Sequence, residues 1–321
     1  MMNTLERTDF ASLYRFLALA FQPPDEALIE LCQDVNVLRP YLQNLAALKE
    51  DHTWLFEFNV YPYASIFLDS SAMLQSDWSH FVAGLYSHLG LELSSETYQA
   101  ADQLSTLFEA MALLSERRTQ AHAEGLESLS YQRSLHVERA FCFEHLLPWL
   151  PSFCHAVCRI HKSFYKGLCQ FAQEITLTHA KDIIQLAHSL PDYEAPPQKI
   201  QLQATNSQPN SQDANTEIQK LLSPALSGMF LSREDLRLIA RGLSLPYRFA
   251  ERSFILKNLI EAAHNGDKLG KLFEALRVEA QRQALYLEEC QQSLGSLSLW
   301  QGQIGKLRQT ASRLAWLSRE A

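Results

Sequence analysis

FEHLLPWLPSF, residues 143–153, places a histidine, a tryptophan and two prolines in a stretch whose flanks have helical periodicity. Proline inside a helix removes a hydrogen-bond donor and collides with the preceding turn, at a cost of about 3 kcal/mol. The stretch therefore reads as a corner between two helices. Pro148 disfavours helical angles at Leu147, whereas Pro151 fits the first turn of the next helix, where a missing donor costs nothing. Trp149 is expected to wedge into this corner. Glu144, the only acid near His145, is adjacent in sequence and so turned about 100° away around a helix. His145 then reads as a residue at a helix end, its ring hydrogen-bonded to a carbonyl freed by the proline.

On both sides of the corner apolar residues recur at helical spacing. Phe10, Leu13, Leu17 and Phe21 form one stripe, and Leu104, Leu107, Phe108 and Met111 another; no segment alternates as a strand does. Only 11 glycines in 321 residues agree with an all-α chain of few, short turns. Hydrophobic residues make up 47% and charged residues 20%, the balance of a water-soluble protein with a large core. The net charge of -8, with no basic block, argues against nucleic acid as a partner. Arg15 interrupts the N-terminal apolar run, and no run approaches the roughly 18 apolar residues of a membrane span. A cytoplasmic location follows as the expectation, with Cys32, Cys142, Cys154, Cys158, Cys169 and Cys290 as reduced side chains.

Pro23-Pro24 stops the first helix, and Asp25-Glu26 supply negative charge to the opening turn of the second. Composition shifts abruptly at PDYEAPPQKIQLQATNSQPNSQDANTE, residues 191–217, rich in Pro, Gln, Asn and Ser. That segment reads as a disordered linker spanning on the order of 25 to 30 Å. It divides the chain into 1–190 and 218–321. In the second part Ser232 and Asp235 form a capping-box-like start, Gly242 and Pro246 a stop. Further helices are expected from about Glu251 and from about Asp267 to Cys290. A last amphipathic segment carries Trp300, Ile304, Leu307, Ala311 and Leu314 on one face. Such a face suits a membrane surface or a partner, but fits best a terminal helix packed on its own core.

No phosphate loop, HExxH pair or nucleophile elbow is present. Cys154, Cys158 and His161 share one helix face, with Cys142, His145, His155 and Cys169 close in sequence. They are the best metal candidate; the ordinary reading is helix filling by buried cysteines. No metal, cofactor or catalytic residue is assigned.

FCFEHLLPWLPSF resembles the most characteristic segment of the TorD/DmsD/NarJ family of cytoplasmic chaperones for molybdenum-containing respiratory enzymes, F-x-x-E-H-L-x-x-W-x-x-x-F. Phe141, Glu144, His145, Leu146, Trp149 and Phe153 match it in order. Upstream, LYRFLALAFQPPDEALIE is similar to the family's first helix and its proline stop. WLFEFNVYPYASIFLD resembles the P-P-Y-E-S-x-Y landmark, and ADQLSTLFEAM resembles D-H-L-x-x-E-L-x-F-M. Tyr63, Ser65 and Asp102 are kept, whereas Ala64, Gln103 and Leu107 replace an acid, a histidine and a glutamate. The resemblance covers residues 10 to about 180.

It implies a TorD-like helical bundle, here with a C-terminal helical extension. It also implies a non-enzymatic chaperone that binds the twin-arginine signal peptide and apoprotein of a molybdenum oxidoreductase until its cofactor is inserted. SPALSGMFLSRED resembles an extension of members dedicated to formate dehydrogenase-type enzymes. The implied peptide site comprises Tyr63, Ser65, Asp102, Phe108, Glu144, His145 and Trp149, around an apolar groove. The expected assembly is a monomer or a segment-swapped dimer. Two other readings are an assembly adaptor that binds a folded respiratory subunit through 218–321, and a helical metalloenzyme built on the Cys/His cluster.

Overall fold

The structure, a computed structural model, describes residues 9–91, 100–160, 164–189, 214–295 and 297–321. It is all-α: among the described residues there is no strand, only an isolated bridge between Tyr63 and Gln103. The first part contains α1 (Phe10–Ala20), α2 (Glu26–Gln33), α3 (Leu45–Phe56), α4 (Ala64–Leu68), α5 (Asp77–His88) and α6 (Leu104–Ala121). α7 (Leu129–Phe141), a π-helical turn (Cys142–Leu146), α8 (Leu150–Ile160) and α9 (Phe164–His188) follow. The second part contains α10 (Ala214–Leu222), α11 (Pro224–Ser227), α12 (Arg233–Gly242), α13 (Arg252–Asn265), α14 (Leu269–Ser293) and α15 (Gln301–Glu320).

The punctuation works as the residue types dictate. α1 ends before Pro23-Pro24, and the Asp25 carboxylate caps α2 by accepting the Leu28 N–H at 2.9 Å. Ser232 and Asp235 complete a reciprocal capping box on α12. Residues 190–213, most of the stretch read as a linker, lie outside the described residues. α10 already begins at Ala214, inside that stretch. Among the described residues no helix is long and apolar enough to cross a membrane.

α1 lies along α6, α8 against α9, and α14 and α15 fold into a hairpin. The expected stripe of α15 is buried: Trp300, Ile304, Leu307, Ala311 and Leu314 all face inward. The face read as a possible membrane or partner surface is therefore core. α11 meets α15 at Gly228, whose φ of +77 suits glycine; a Cβ there would sit 2.9 Å from Gln303 O and from Leu307 N.

Both parts of the chain contribute to one continuous apolar core. Phe67 of α4 stacks on Phe230 with centroids 4.9 Å apart. Trp300 donates its indole N–H to Leu147 O at 2.9 Å, and Gln303 donates to Ser152 Oγ at 2.9 Å.

At the corner the chain differs from expectation in two respects. Leu147 keeps helical angles, φ -60 and ψ -32, despite the following proline. The turn is instead widened into π geometry, with the Leu147 N–H reaching Cys142 O at 2.9 Å. Two carbonyls of the corner, including that of Leu147 to which Pro151 can offer no N–H, are taken by tryptophans. Trp149 Nε1 donates to His145 O at 2.9 Å, and Trp300 serves Leu147 as above. His145 thus satisfies its carbonyl through Trp149, and its own ring accepts no such role: Nδ1 has no partner among the described residues.

Candidate functional site

The three landmarks, far apart in sequence, converge on the five-residue helix α4. Asp102 is fully buried and caps this helix from outside. Its Oδ2 accepts the Ser65 N–H at 2.8 Å, and its carbonyl accepts the Ala64 N–H at 2.9 Å. Tyr63 is half-buried at the N-cap, its phenol pushed up by burial and by the Asp102 charge. Ser65 is buried, its Oγ without a partner among the described residues. Two residues on, Phe67 packs on Trp149 at 5.4 Å, which joins α4 to the corner.

Trp149 and Phe108 are completely buried. Phe108 lies between Tyr14 and Phe21, at 5.8 and 5.7 Å. His145 is 6% exposed, beneath Phe81, Trp78 and Phe141 at 5.9, 6.1 and 5.4 Å. Burial lowers its pKa to about 4. Glu144 is half-buried. Of the seven nominated residues, then, only Tyr63 and Glu144 reach the surface appreciably; the other five form the frame that fixes α4 and the corner.

An open concavity lies beside Gln103, the residue after Asp102. A cleft of about 820 Å³ is lined by one face of α6, namely Gln103, Thr106, Ala110, Leu113 and Arg117, and is walled by Tyr86, Leu91, Gln22 and Pro23. Tyr86 is fixed there by donating to Ala101 O at 3.0 Å, and Arg117 by donating to Gly90 O at 3.2 Å. Glu109 puts a carboxylate at its edge. None of the seven nominated residues lines this cleft, although Gln103, one of the departures from the landmark pattern, does. The signal available in the sequence was the 3-4-3-4 spacing of Gln103, Thr106, Ala110, Leu113 and Arg117, opposite the buried stripe of the same helix.

Five of the six cysteines are buried and Cys158 is half-buried. All six are free, and burial holds the Cys158 and Cys290 thiols up at about 12, far from the thiolate form that ligates or attacks. Among the described residues no group of three or more His, Cys, Asp or Glu side chains is arranged to hold a metal; His161 lies outside the described residues.

Two buried ionic nodes had no expectation attached. In the first, Arg118 pairs with Glu138, His179 Nε2 lies 3.2 Å from Glu138 Oε1, and Tyr14 OH meets His179 Nδ1 at 3.0 Å. Burial alone would raise the Glu138 carboxyl, but His179 and Arg118 together outweigh it and hold it below the ordinary range. In the second, Arg159 of α8 pairs with both Asp235 of α12 and Glu279 of α14. Burial tends to strip the Arg159 proton, and the two carboxylates more than offset this. For Glu279 burial prevails and its pKa is raised.

Beside the second node His155 packs on Tyr286 at 4.2 Å, its pKa lowered to about 3 by burial and the Arg159 charge. An unfolded histidine titrates near 6.5. Between that value and the folded ones the unfolded chain binds more protons, so stability is complete above about pH 6.5 and falls with pH below it. Each of His145 and His155 is expected to cost at most about 1.4 kcal/mol per pH unit there. Urea midpoints at pH 7.5 and 5.5 check this, and His145→Gln and His155→Gln should each flatten the difference; an unchanged slope in both variants would refute it.

Residues 23–155 match the family model described as nitrate reductase delta subunit. The perchlorate reductase assembly chaperone protein of Dechloromonas aromatica (strain RCB) is 28% identical over 102 residues, covering 32% of this chain and 44% of that protein. The chain thus spans less than half the length of this relative. The matched segment holds the α4 frame, almost all of the cleft lining and the corner. By this match, residues 23–155, less than half of the chain, are similar to the nitrate reductase delta subunit family.

Proposed function

We propose that the protein is an assembly chaperone for a molybdenum-dependent oxidoreductase, acting by binding and not by catalysis. Its client's twin-arginine signal peptide lies along α6 in the cleft, and the apoprotein is held until cofactor insertion. A client of formate dehydrogenase type is the specific proposal that the resemblance of residues 223–235 suggests. The observation that carries the reading is that the family match over residues 23–155 takes in the frame and all of the cleft lining but Gln22.

The physical terms support such a role. A volume of about 820 Å³ falls within the roughly 300–1,000 Å³ usual for ligand sites. Leu91, Leu113, Ala110 and Tyr86 offer apolar contact, and Glu109 an anion for arginine. An exposed arginine–carboxylate pair contributes only about 0 to 1 kcal/mol. Burying four or five apolar side chains of the peptide contributes about 6 to 15 kcal/mol, less about 2 to 5 for ordering it. That leaves room for the roughly 8 kcal/mol of a micromolar complex. Tyr63 and Glu144 are proposed as further contacts; Ser65, Asp102, Phe108, His145 and Trp149 set the frame.

Titration calorimetry of the full-length protein with a synthetic twin-arginine leader tests the proposal. A micromolar complex is expected, weakened about tenfold by Leu113→Glu, which puts a charge on the apolar wall. Absence of heat with the client's leader, or a complex indifferent to Leu113→Glu, rejects the cleft as the leader site.

A further inference from the structure

The seam between the two parts of the chain carries an exposed aromatic pair built around a fixed guanidinium. Phe58, which follows α3, is 40% exposed, and Phe249, in the segment between α12 and α13, is 63% exposed. Their rings meet edge-on at 5.9 Å. Arg233 lies over Phe249 at 5.3 Å and over Tyr61 at 6.0 Å. Its Nε donates to Ala250 O at 2.8 Å, and its Nη1 donates to Phe58 O and to Tyr61 OH. Nη2 makes no hydrogen bond among the described residues, so one edge of an immobilised fork remains available. Exposed Arg248 adjoins Phe249 and enters no ion pair among the described residues.

Three acids lie close by in sequence. Glu234 is engaged by Arg237 through two hydrogen bonds of 2.6 Å, Glu251 caps α13 through Ser253, and Glu57 is exposed. In a chain of net charge -8 this surface thus holds two guanidiniums, Arg233 and Arg248, that enter no ion pair among the described residues. Leaving two phenylalanines exposed beside an arginine is unfavourable in the free protein, yet it is the composition of an interface centre, where aromatic residues and Arg dominate affinity. A guanidinium already held by rings and carbonyls loses little entropy when a carboxylate joins it.

We infer that the Phe58–Arg233–Phe249 seam is a docking site for an acidic segment of a partner protein that carries an apolar or aromatic side chain. The carboxylate meets Arg233 Nη2 and Arg248, and the apolar side chain covers the two rings. The ligand is opposite in charge to a twin-arginine leader, so the site is distinct from the α6 cleft. The rings come from residues 58 and 249, on either side of the seam; the site therefore exists only while the C-terminal part is docked.

The test uses the full-length protein and a fluorescent peptide with a run of glutamates around a central Phe-Leu pair. Controls are its lysine-for-glutamate counterpart and phosphatidylglycerol vesicles. The glutamate peptide is expected to bind at least about tenfold more tightly than the lysine peptide, and Phe249→Ser and Arg248→Glu each to weaken it about tenfold. Both positions are exposed, so the melting temperature and leader binding should not change. The inference is overturned by three results: no binding, equal affinity for the two peptides, or indifference to both variants. Vesicle co-sedimentation with the same dependence on both variants also overturns it, by making the surface a lipid site.

Discussion

Replacing Glu138 with glutamine is expected to remove about 3 to 5 kcal/mol of stability, because it leaves the buried Arg118 without its close anion. The remaining acid, Asp182, is 3.7 Å from Arg118 and 40% exposed, too distant and too solvated to substitute. Total stability of a domain is about 5 to 15 kcal/mol, so Glu138→Gln sits near the unfolding threshold. The node ties four helices through Tyr14 of α1, Arg118 of α6, Glu138 of α7 and His179 of α9. Urea unfolding followed by far-ultraviolet circular dichroism at pH 7 measures the loss. Because Glu138 titrates lower folded than unfolded, its contribution is complete above the unfolded value of about 4.3 and disappears as pH falls through the folded one. The gap between wild type and variant should therefore narrow in acid. Arg118→Met combined with Glu138→Leu should recover much of the loss, since a buried pair replaced whole is often neutral. A variant within about 1 kcal/mol of wild type at pH 7 would show that the node contributes little.

Helix positions were legible because apolar side chains at helical spacing report directly on which face is buried, and the proline pairs, Asp25 and Ser232 on where helices start and stop. The corner was legible as an interruption but not as a π turn. Which carbonyl a given N–H reaches depends on what else can satisfy the orphans, and one of the two donors, Trp300, comes from more than 150 residues away. Phe108 and Trp149 matched a binding landmark in sequence and are core in the structure, since a motif shared for packing and one shared for contact look alike in the chain. Glu138 and Arg159 were invisible for the opposite reason. Arg159 has His155, Lys162 and Ser163 close by in sequence, a setting in which a charge ordinarily faces water, whereas Glu138 stands on the apolar stripe of Tyr131, Leu135 and Phe141; in both cases only tertiary packing brings the partner. The cleft likewise depends on how α5 and α6 are spaced, although the mild, part-apolar face of α6 was on view.

Arg159→Met is the second substitution with a large expected effect, again about 3 to 5 kcal/mol, because it strands two buried carboxylates instead of one cation. Here the loss should be local before it is global. Arg159 is the charged link between α8 of the first part and both α12 and α14 of the second. Stranded together, Asp235 and Glu279 repel each other, and each can be relieved by water only if α12 and α14 move away from α8. Arg282 gives Glu279 a partial alternative, at 2.9 Å, whereas Asp235 retains only the capping box of α12. Hydrogen exchange of the full-length variant should therefore show α12 opening first, with α1 and α6 remaining protected. Because Glu279 already has a raised pKa, protonation offers the variant relief: mild acid should stabilise Arg159→Met relative to wild type, the reverse of the histidine effect. Adding Asp235→Asn and Glu279→Gln should restore protection of α12, as asparagine still accepts at the N-cap and neither side chain is then charged. Uniform loss of protection across both parts of the chain would mean that the seam is not the weaker joint, and that Arg159 stabilises the bundle as a whole.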